Sequence, residues 1–240
     1  MKPLVRWTIG PTRRMGHEIL CTSIRLFRKV YPEFEPLLCY NQITGMILDY
    51  VQIDMYQQSE GDFAGRIKAT DLNVNVPHGS CWKLCPPRLR TEAPELWIDN
   101  DVVITRRVKE IDDWLRSPTY PIMSEGLRQN RVYGFYESQV KDGVHANSGL
   151  FGLPPHFDFA KAIKERLPVA AGREIGGYDE QGLVAAVITN IPSWKLIPLE
   201  SIWITEADAE PLPGCPGYHF VGANRVPHKG WEMFKTWLVL

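Results

Sequence analysis

The residues best suited to chemistry lie in Pro94-Glu95-Leu96-Trp97-Ile98-Asp99-Asn100-Asp101-Val102-Val103-Ile104, where an apolar run reaches two aspartates and turns apolar again. In a strand, side chains two apart point the same way. Asp99 and Asp101 are therefore expected to face one side, at the mouth of a buried sheet. Carboxylates held that close repel each other unless a positive charge lies between them. Oxygen ligands suit magnesium and manganese, so the pair reads as candidate ligands of a divalent metal. Asp-Asn-Asp is also good turn chemistry, because these side chains bond nearby backbone. A solvated turn seldom carries apolar triplets on both flanks, and the strand-end setting is a cue to a catalytic context.

Three further stretches carry polar groups that such a site would use. In His145-Ala146-Asn147-Ser148-Gly149-Leu150-Phe151, small residues let backbone approach a ligand, and Asn147 and Ser148 offer donors and acceptors. The same stretch also reads as a Gly-rich turn entering an apolar strand. Asp179, Glu180 and Gln181 precede the apolar run Leu183 to Ile188. Asp179 reads as a helix N-cap, stabilised there by the helix dipole, and the same first turn is a way to fix a catalytic acid. In Gly217-Tyr218-His219-Phe220-Val221-Gly222-Ala223-Asn224-Arg225, a glycine follows the histidine by three residues and a cation by six. That spacing is fit to put an imidazole on a metal and a guanidinium on phosphate, with His228 as the reserve ligand. Upstream of the aspartates, Lys83, Arg88 and Arg90 stand among Pro86 and Pro87. They either balance phosphate charge or pair with Glu92 or Glu95.

Elements must position these groups. Leu4 to Ile9 reads as a buried strand and Met15 to Val30 as a helix, with Ile19, Leu20, Ile24, Phe27 and Val30 on one face. Thr12 is a candidate cap, Pro32 ends the helix, and Phe34 to Tyr40 is the next strand. Strand, helix and strand predict an α/β unit with a right-handed crossover. Ligands sit beyond the carboxyl ends of strands in such sheets. This places Thr8, Ile9, Gly10, Arg13 and Arg14 at a binding rim, where the arginines alternatively read as solvated first-turn residues. Met46 to Met55 is ambiguous between strand and helix, and 57–80 reads as a long polar connection. Val108 to Leu115 and Phe157 to Leu167 are expected helices. Tyr120 to Ser124 and Val132 to Tyr136 are expected strands. Trp194, Pro198 and Trp203 suggest strand and loop near the core. No internal repeat, low-complexity tract or domain boundary is visible, so 1–240 reads as a single domain.

The chain of 240 residues is 44% hydrophobic and 23% charged, which is ordinary for a globular protein able to bury a core. Its net charge of -1 gives no basic field to attract nucleic acid. No run approaches the roughly 18–20 apolar residues that cross a bilayer, and Arg6 interrupts the first apolar stretch, unlike a secretory signal. Peripheral membrane contact stays open. Five scattered cysteines suggest free thiols in a reducing, cytoplasmic setting. Cys81 and Cys85 have no second pair nearby and do not read as a zinc site.

Taken together, the motifs resemble the GT-A class of nucleotide-sugar glycosyltransferases, in order along most of the chain. Ile98-Asp99-Asn100-Asp101-Val102 is similar to the D-x-D segment. Asn147-Ser148-Gly149-Leu150-Phe151 is similar to the N-[AS]-G-hydrophobic strand, and Asp179-Glu180-Gln181 to the later acid-and-amide helix start. His219-Phe220-Val221-Gly222-Ala223-Asn224-Arg225 resembles the H-x-x-G-x-x-K end of glycogenin and the bacterial lipopolysaccharide galactosyltransferases. Arg225 stands where that motif has Lys, which keeps the charge and changes the geometry. Val226-Pro227 replaces the Pro-Trp expected next.

The resemblance implies a single Rossmann-like GT-A domain with a mixed, mostly parallel sheet flanked by helices. It implies transfer of a sugar from a nucleoside-diphosphate donor, such as a uridine-diphosphate sugar, to a saccharide or other hydroxyl acceptor. Asp99, Asp101 and His219 would hold manganese or magnesium. Thr8, Ile9, Arg13, Arg90, Asn100, Asn147, Ser148, Gly149, Gly222 and Arg225 would bind the donor. Asp179, Glu180 and Gln181 would act at the sugar, with a lean toward retention of configuration. Two alternatives remain: a nucleotidyltransferase of the same architecture, for which Gly10-Pro11-Thr12-Arg13-Arg14 is poor in glycine, and an inactive relative that binds carbohydrate or nucleotide.

Overall fold

The computed structural model describes residues 1–41, 52–59, 79–126, 132–173, 175–223 and 225–238. The ambiguous stretch from Met46 to Val51, most of the expected connection over 57–80, and Asn224 lie outside these residues. The chain opens with β1 (Leu4–Ile9), α1 (Arg14–Val30) and β2 (Glu35–Tyr40), and the two strands pair in parallel. Ile19, Leu20, Ile24 and Phe27 are fully buried against the sheet, as their 3.6-residue spacing requires. Thr12 does not cap α1. The residue before the helix is Arg13, extended and without a side-chain cap bond.

β3 (Asp54–Gln57) extends the edge, followed by a 3-10 turn over Gly79–Leu84, β4 (Glu95–Asp99) and β5 (Val102–Ile104). After α2 (Lys109–Arg116) come β6 (Tyr120–Ser124), β7 (Ala146–Leu153), α3 (Phe159–Arg166) and α4 (Gly177–Ile188). β8 (Trp194–Ile197), β9 (Ile202–Thr205), β10 (Gly217–Phe220) and α5 (Lys229–Leu238) complete the chain. Seven strands form a sheet in the order β3-β2-β1-β4-β7-β6-β8. Only β7 runs against its neighbours, pairing antiparallel with both β4 and β6. This is the mixed, mostly parallel sheet with flanking helices that the motif resemblance implies. No helix among the described residues is long and apolar enough to cross a membrane.

One expected strand is absent. The segment after Val132 forms a 3-10 turn over Gly134–Gln139 rather than a strand. Its partner explains it. At Gly134, φ is +51°, and an added Cβ would lie 1.9 Å from Asp179 Oδ1. At Gly182 an added Cβ would lie 2.0 Å from the Tyr133 carbonyl. Two glycines therefore let this turn press onto the start of α4.

A second, three-stranded sheet in the order β5-β10-β9 positions the site. β10 runs antiparallel to β5, with His219 opposite Val102. The Phe220 amide donates to the Asp101 carbonyl at 2.9 Å. The chain leaves the large sheet at Asp99, turns through Asn100 and Asp101, and enters the small sheet at Val102. Asp-Asn-Asp therefore ends a buried strand and forms the turn that its residue types suit.

Candidate active site

Asp99 registers with Thr8 at the carboxyl end of the parallel strands. Asp99, Asp101 and His219 each offer one ligand atom, and these atoms lie within 4.8 Å of one another. His219 Nε2 is 3.2 Å from Asp101 Oδ1, and both side chains are buried. Asp99 is 30% exposed, which gives the cluster an open side. Burial alone would lower the His219 pKa, but the Asp101 carboxylate outweighs it and holds the imidazole above its ordinary value. Two carboxylates and an imidazole are a donor set for manganese or magnesium. His219 Nδ1 is buried without a hydrogen-bond partner among the described residues, and a Cβ at Gly149 would lie 2.8 Å from His219 Cε1. The imidazole is thus packed tightly onto β7, and the residues present fit a divalent ion.

β7 supplies the next layer and is buried along its whole length. The Gly149 amide donates to Asn147 Oδ1 at 2.7 Å, and Asn147 Nδ2 donates to Glu125 Oε2 at 2.9 Å. Gln181 Nε2 donates to the same Glu125 oxygen at 2.7 Å. Ser148 Oγ donates to Glu180 Oε2 at 3.3 Å. Asn147, Ser148, Gly149, Glu180 and Gln181 are therefore brought together, as the sequence suggests.

Asp179 is not. Its Oδ2 accepts from the Gly176 amide and its Oδ1 from the Phe135 amide, both at 2.8 Å. It is the third residue of α4 rather than the N-cap, which is Gly176. Both oxygens are occupied by backbone, so Asp179 fastens the 3-10 turn to the helix and is removed from the catalytic candidates. Glu180, one residue on, turns into the site. Burial pushes its carboxyl group up to about 7 against the downward pull of the Lys83 ammonium, and its Oε1 is buried without a partner among the described residues.

Lys83 is the residue that sequence reasoning left among the general basic candidates. Its Nζ lies 2.7 Å from Asp99 Oδ1 and 3.4 Å from Glu180 Oε2. It also donates to the Ser148 carbonyl and hydroxyl, each at 3.2 Å. Burial lowers its pKa, but the Asp99 and Glu180 carboxylates outweigh burial and hold it above the ordinary value. Glu125 is the second addition, an acid directly after β6. Its position past a strand's carboxyl end was the available signal.

Other expected residues lie elsewhere. Arg90 pairs with Glu35, its Nη1 donating to Oε2 at 2.5 Å. Glu35 opens β2 opposite Leu4, so this pair sits at the amino ends of the strands. Four residues along β1 at roughly 3.3 Å each separate that level from Thr8. Arg90 is thus taken away from the donor set. Arg88 donates to the carbonyls of Arg90, Ala93, Pro154 and Phe157 and is a structural clasp. His228 is also structural. Its Nδ1 accepts from the Trp231 amide at 3.2 Å and its Nε2 meets the Thr205 carbonyl at 3.1 Å. Both ring nitrogens hold the start of α5, so His228 is no reserve ligand. Thr8, Ile9 and half-buried Asn100 stay at the strand ends, while Arg13 and Arg225 are exposed. Gly222 has φ +82°, and an added Cβ would meet nothing within 4 Å among the described residues.

No family model matches the sequence, and no curated protein is similar enough in sequence to count as a relative. Solved structures match by fold. The galactosyltransferase LgtC, in complex with donor and acceptor sugar analogs, matches with a TM-score of 0.65 at 14% identity, over 97% of this chain and 94% of that one. Mouse xyloside xylosyltransferase 1 in its apo form matches with a TM-score of 0.56 at 8% identity, over 93% of this chain and 99% of that one. A glycosyltransferase involved in glycosylation of the major capsid of PBCV-1 matches with a TM-score of 0.52 at 11% identity, over 100% of both. The chain thus has the GT-A glycosyltransferase fold that the motif resemblance implied.

Proposed function

We propose that this chain is a metal-dependent glycosyltransferase that moves a sugar from a nucleoside-diphosphate donor, a uridine-diphosphate sugar in our reading, to a hydroxyl acceptor. Residues 1–240 act as one transferase domain in this reading. The observation that carries it is the convergence of Asp99, Asp101 and His219 at the carboxyl ends of the parallel strands, where open α/β sheets take ligands. A manganese or magnesium ion held there supplies Lewis-acid stabilisation of the leaving diphosphate.

The chain's own residues do the rest. Thr8, Ile9, Asn100 and Arg13 line the nucleotide rim, and Gly222 with Arg225 offers backbone and a cation to the diphosphate. Asn147, Ser148 and Gly149 position the donor sugar, whose reacting carbon becomes oxocarbenium-like. Glu180 faces that carbon or accepts the proton of the acceptor hydroxyl. Its raised pKa and its Oε1, unpartnered among the described residues, support either role. Gln181, held on Glu125, completes the sugar side. We read the transfer as retaining, as the motif resemblance implies. A saccharide acceptor and a cytoplasmic setting with peripheral membrane contact belong to the same proposal.

The test is released UDP from a panel of UDP-sugars with manganese. Turnover of at least one donor is expected, abolished by chelator and by Asp101→Ala. Pyrophosphate release from a nucleoside triphosphate and a sugar phosphate would instead make the chain a nucleotidyltransferase. Donor binding with no nucleotide release under any condition would make it an inactive binder.

A further inference from the structure

Lys83 brings a positive charge to a place where the proposed function needs to fit another. Its ammonium is surrounded by four oxygens, from Asp99, Glu180 and the Ser148 hydroxyl and carbonyl. The side chain is 7% exposed, so solvent does little to screen it. Its backbone is clamped as well. Arg6 Nη2 donates to the Lys83 carbonyl at 2.9 Å, and Gln58 Nε2 donates to the Trp82 and Cys85 carbonyls, both at 2.6 Å. Arg6 is in turn held by Glu95 at 3.2 Å and lies over the Trp97 ring at 3.8 Å. The ammonium is therefore built into the protein at Asp99.

Asp99 is also one of the three residues proposed to grip the divalent ion. Asp101 is already partnered by His219. A cation entering the cluster meets a like charge bound to one of its own ligands, and the Asp99 carboxylate charge is already partly balanced by that ammonium. A diphosphate changes that balance, because it adds negative charge and gives the ammonium a second anion. We propose that the Lys83 ammonium competes with the metal for Asp99, so that the ion binds well only together with the donor's diphosphate. This rests on the metal reading above and adds an order of assembly to it. Lys83 is then a positioning residue, acting through Asp99.

Manganese affinity is the readout, measured by calorimetry or electron paramagnetic resonance with and without UDP, and no turnover is required. Wild-type protein is expected to bind manganese weakly alone and roughly tenfold or more tightly with UDP, with UDP affinity rising reciprocally with manganese. Lys83→Met is expected to bind manganese alone roughly tenfold or more tightly than wild type, because a nearby like charge is gone. Lys83→Arg keeps the charge and is expected to stay weak. Lys83→Met leaves Glu180 buried without its cation, so the double variant Lys83→Met/Glu180→Gln keeps the test available in a folded protein. It is expected to show the same gain. Unchanged or weaker manganese binding in both neutral variants overturns the competition and leaves the metal site standing. Absence of manganese binding by every form, with or without UDP, removes the metal site and this inference together.

Discussion

Asp179 and Glu180 are adjacent acids on one helical turn with opposite fates. Asp179 accepts two backbone N–H groups, and its loss would orphan both. Asp179→Ala is expected to cost about 2 kcal/mol of stability, seen as a lower denaturation midpoint, while the folded fraction keeps turnover within a few-fold of wild type. Glu180→Gln is expected to leave the midpoint near wild type at neutral pH and to cut turnover on the order of a hundredfold. A variant pair with these effects exchanged would contradict the assignment. Glu180 also has a pH signature. Its folded pKa of about 7 lies above its ordinary value of 4.5. Between those values the folded state keeps a proton that the unfolded chain has lost, so this group's contribution to stability falls as pH rises through the window and is flat above it. Melting of the metal-free protein from pH 4.5 to 7 should show that slope, and Glu180→Gln should reduce it. The sequence displayed both acids at a helix start. It did not display which faced the site, because the turn that takes Asp179 reads as a strand by its Val-Tyr-Gly-Phe-Tyr pattern.

At the level of elements, the site depends on two clamps. The first is the close approach of β7 to β10 at Gly149, where an added Cβ would lie 2.8 Å from both Asn147 Oδ1 and His219 Cε1. Gly149→Ala is expected to displace the imidazole and weaken manganese binding roughly tenfold or more, with circular dichroism unchanged. Unaltered metal affinity would show that His219 is not held by this packing. The second clamp is Arg6 with Glu95, fully buried, which ties β1, β4 and the Lys83 segment together. Glu95 also accepts the Leu89 amide at 3.0 Å and the Arg90 amide at 3.2 Å. Glu95→Gln leaves a buried guanidinium without its counter-charge, at a cost of about 3–5 kcal/mol. A denaturant midpoint shift is the check, and a shift of less than a third of that size would contradict the clamp. Arg6 in a hydrophobic strand looked in the sequence like a break in a signal-like stretch. Its use is legible only once Glu95 is placed beside it, 89 residues away.

For the whole molecule, local patterns carried the large sheet. The 3.6-residue face of α1, the apolar strand before Asp99 and the buried run of α4 gave their elements and the α/β class. What they could not give was pairing between distant segments. The small sheet joins β5 to β10, residues more than a hundred positions apart, and that pairing puts His219 on Asp101. The same limit hid Lys83, whose partners Asp99, Ser148 and Glu180 come from three separate elements, and misassigned Arg90, whose partner Glu35 is at the other end of the strands. Cys21, Cys39, Cys85 and Cys215 are all buried, so they contribute packing rather than site chemistry.

The central claim is that one ion bridges the aspartate turn and the β10 histidine. The most direct measurement is anomalous diffraction from crystals grown with manganese and UDP. A single strong peak is expected within coordinating distance of Asp99, Asp101 and His219, next to the diphosphate. A nucleotide bound in the cleft with no peak there, or with the ion held by other side chains, would contradict it.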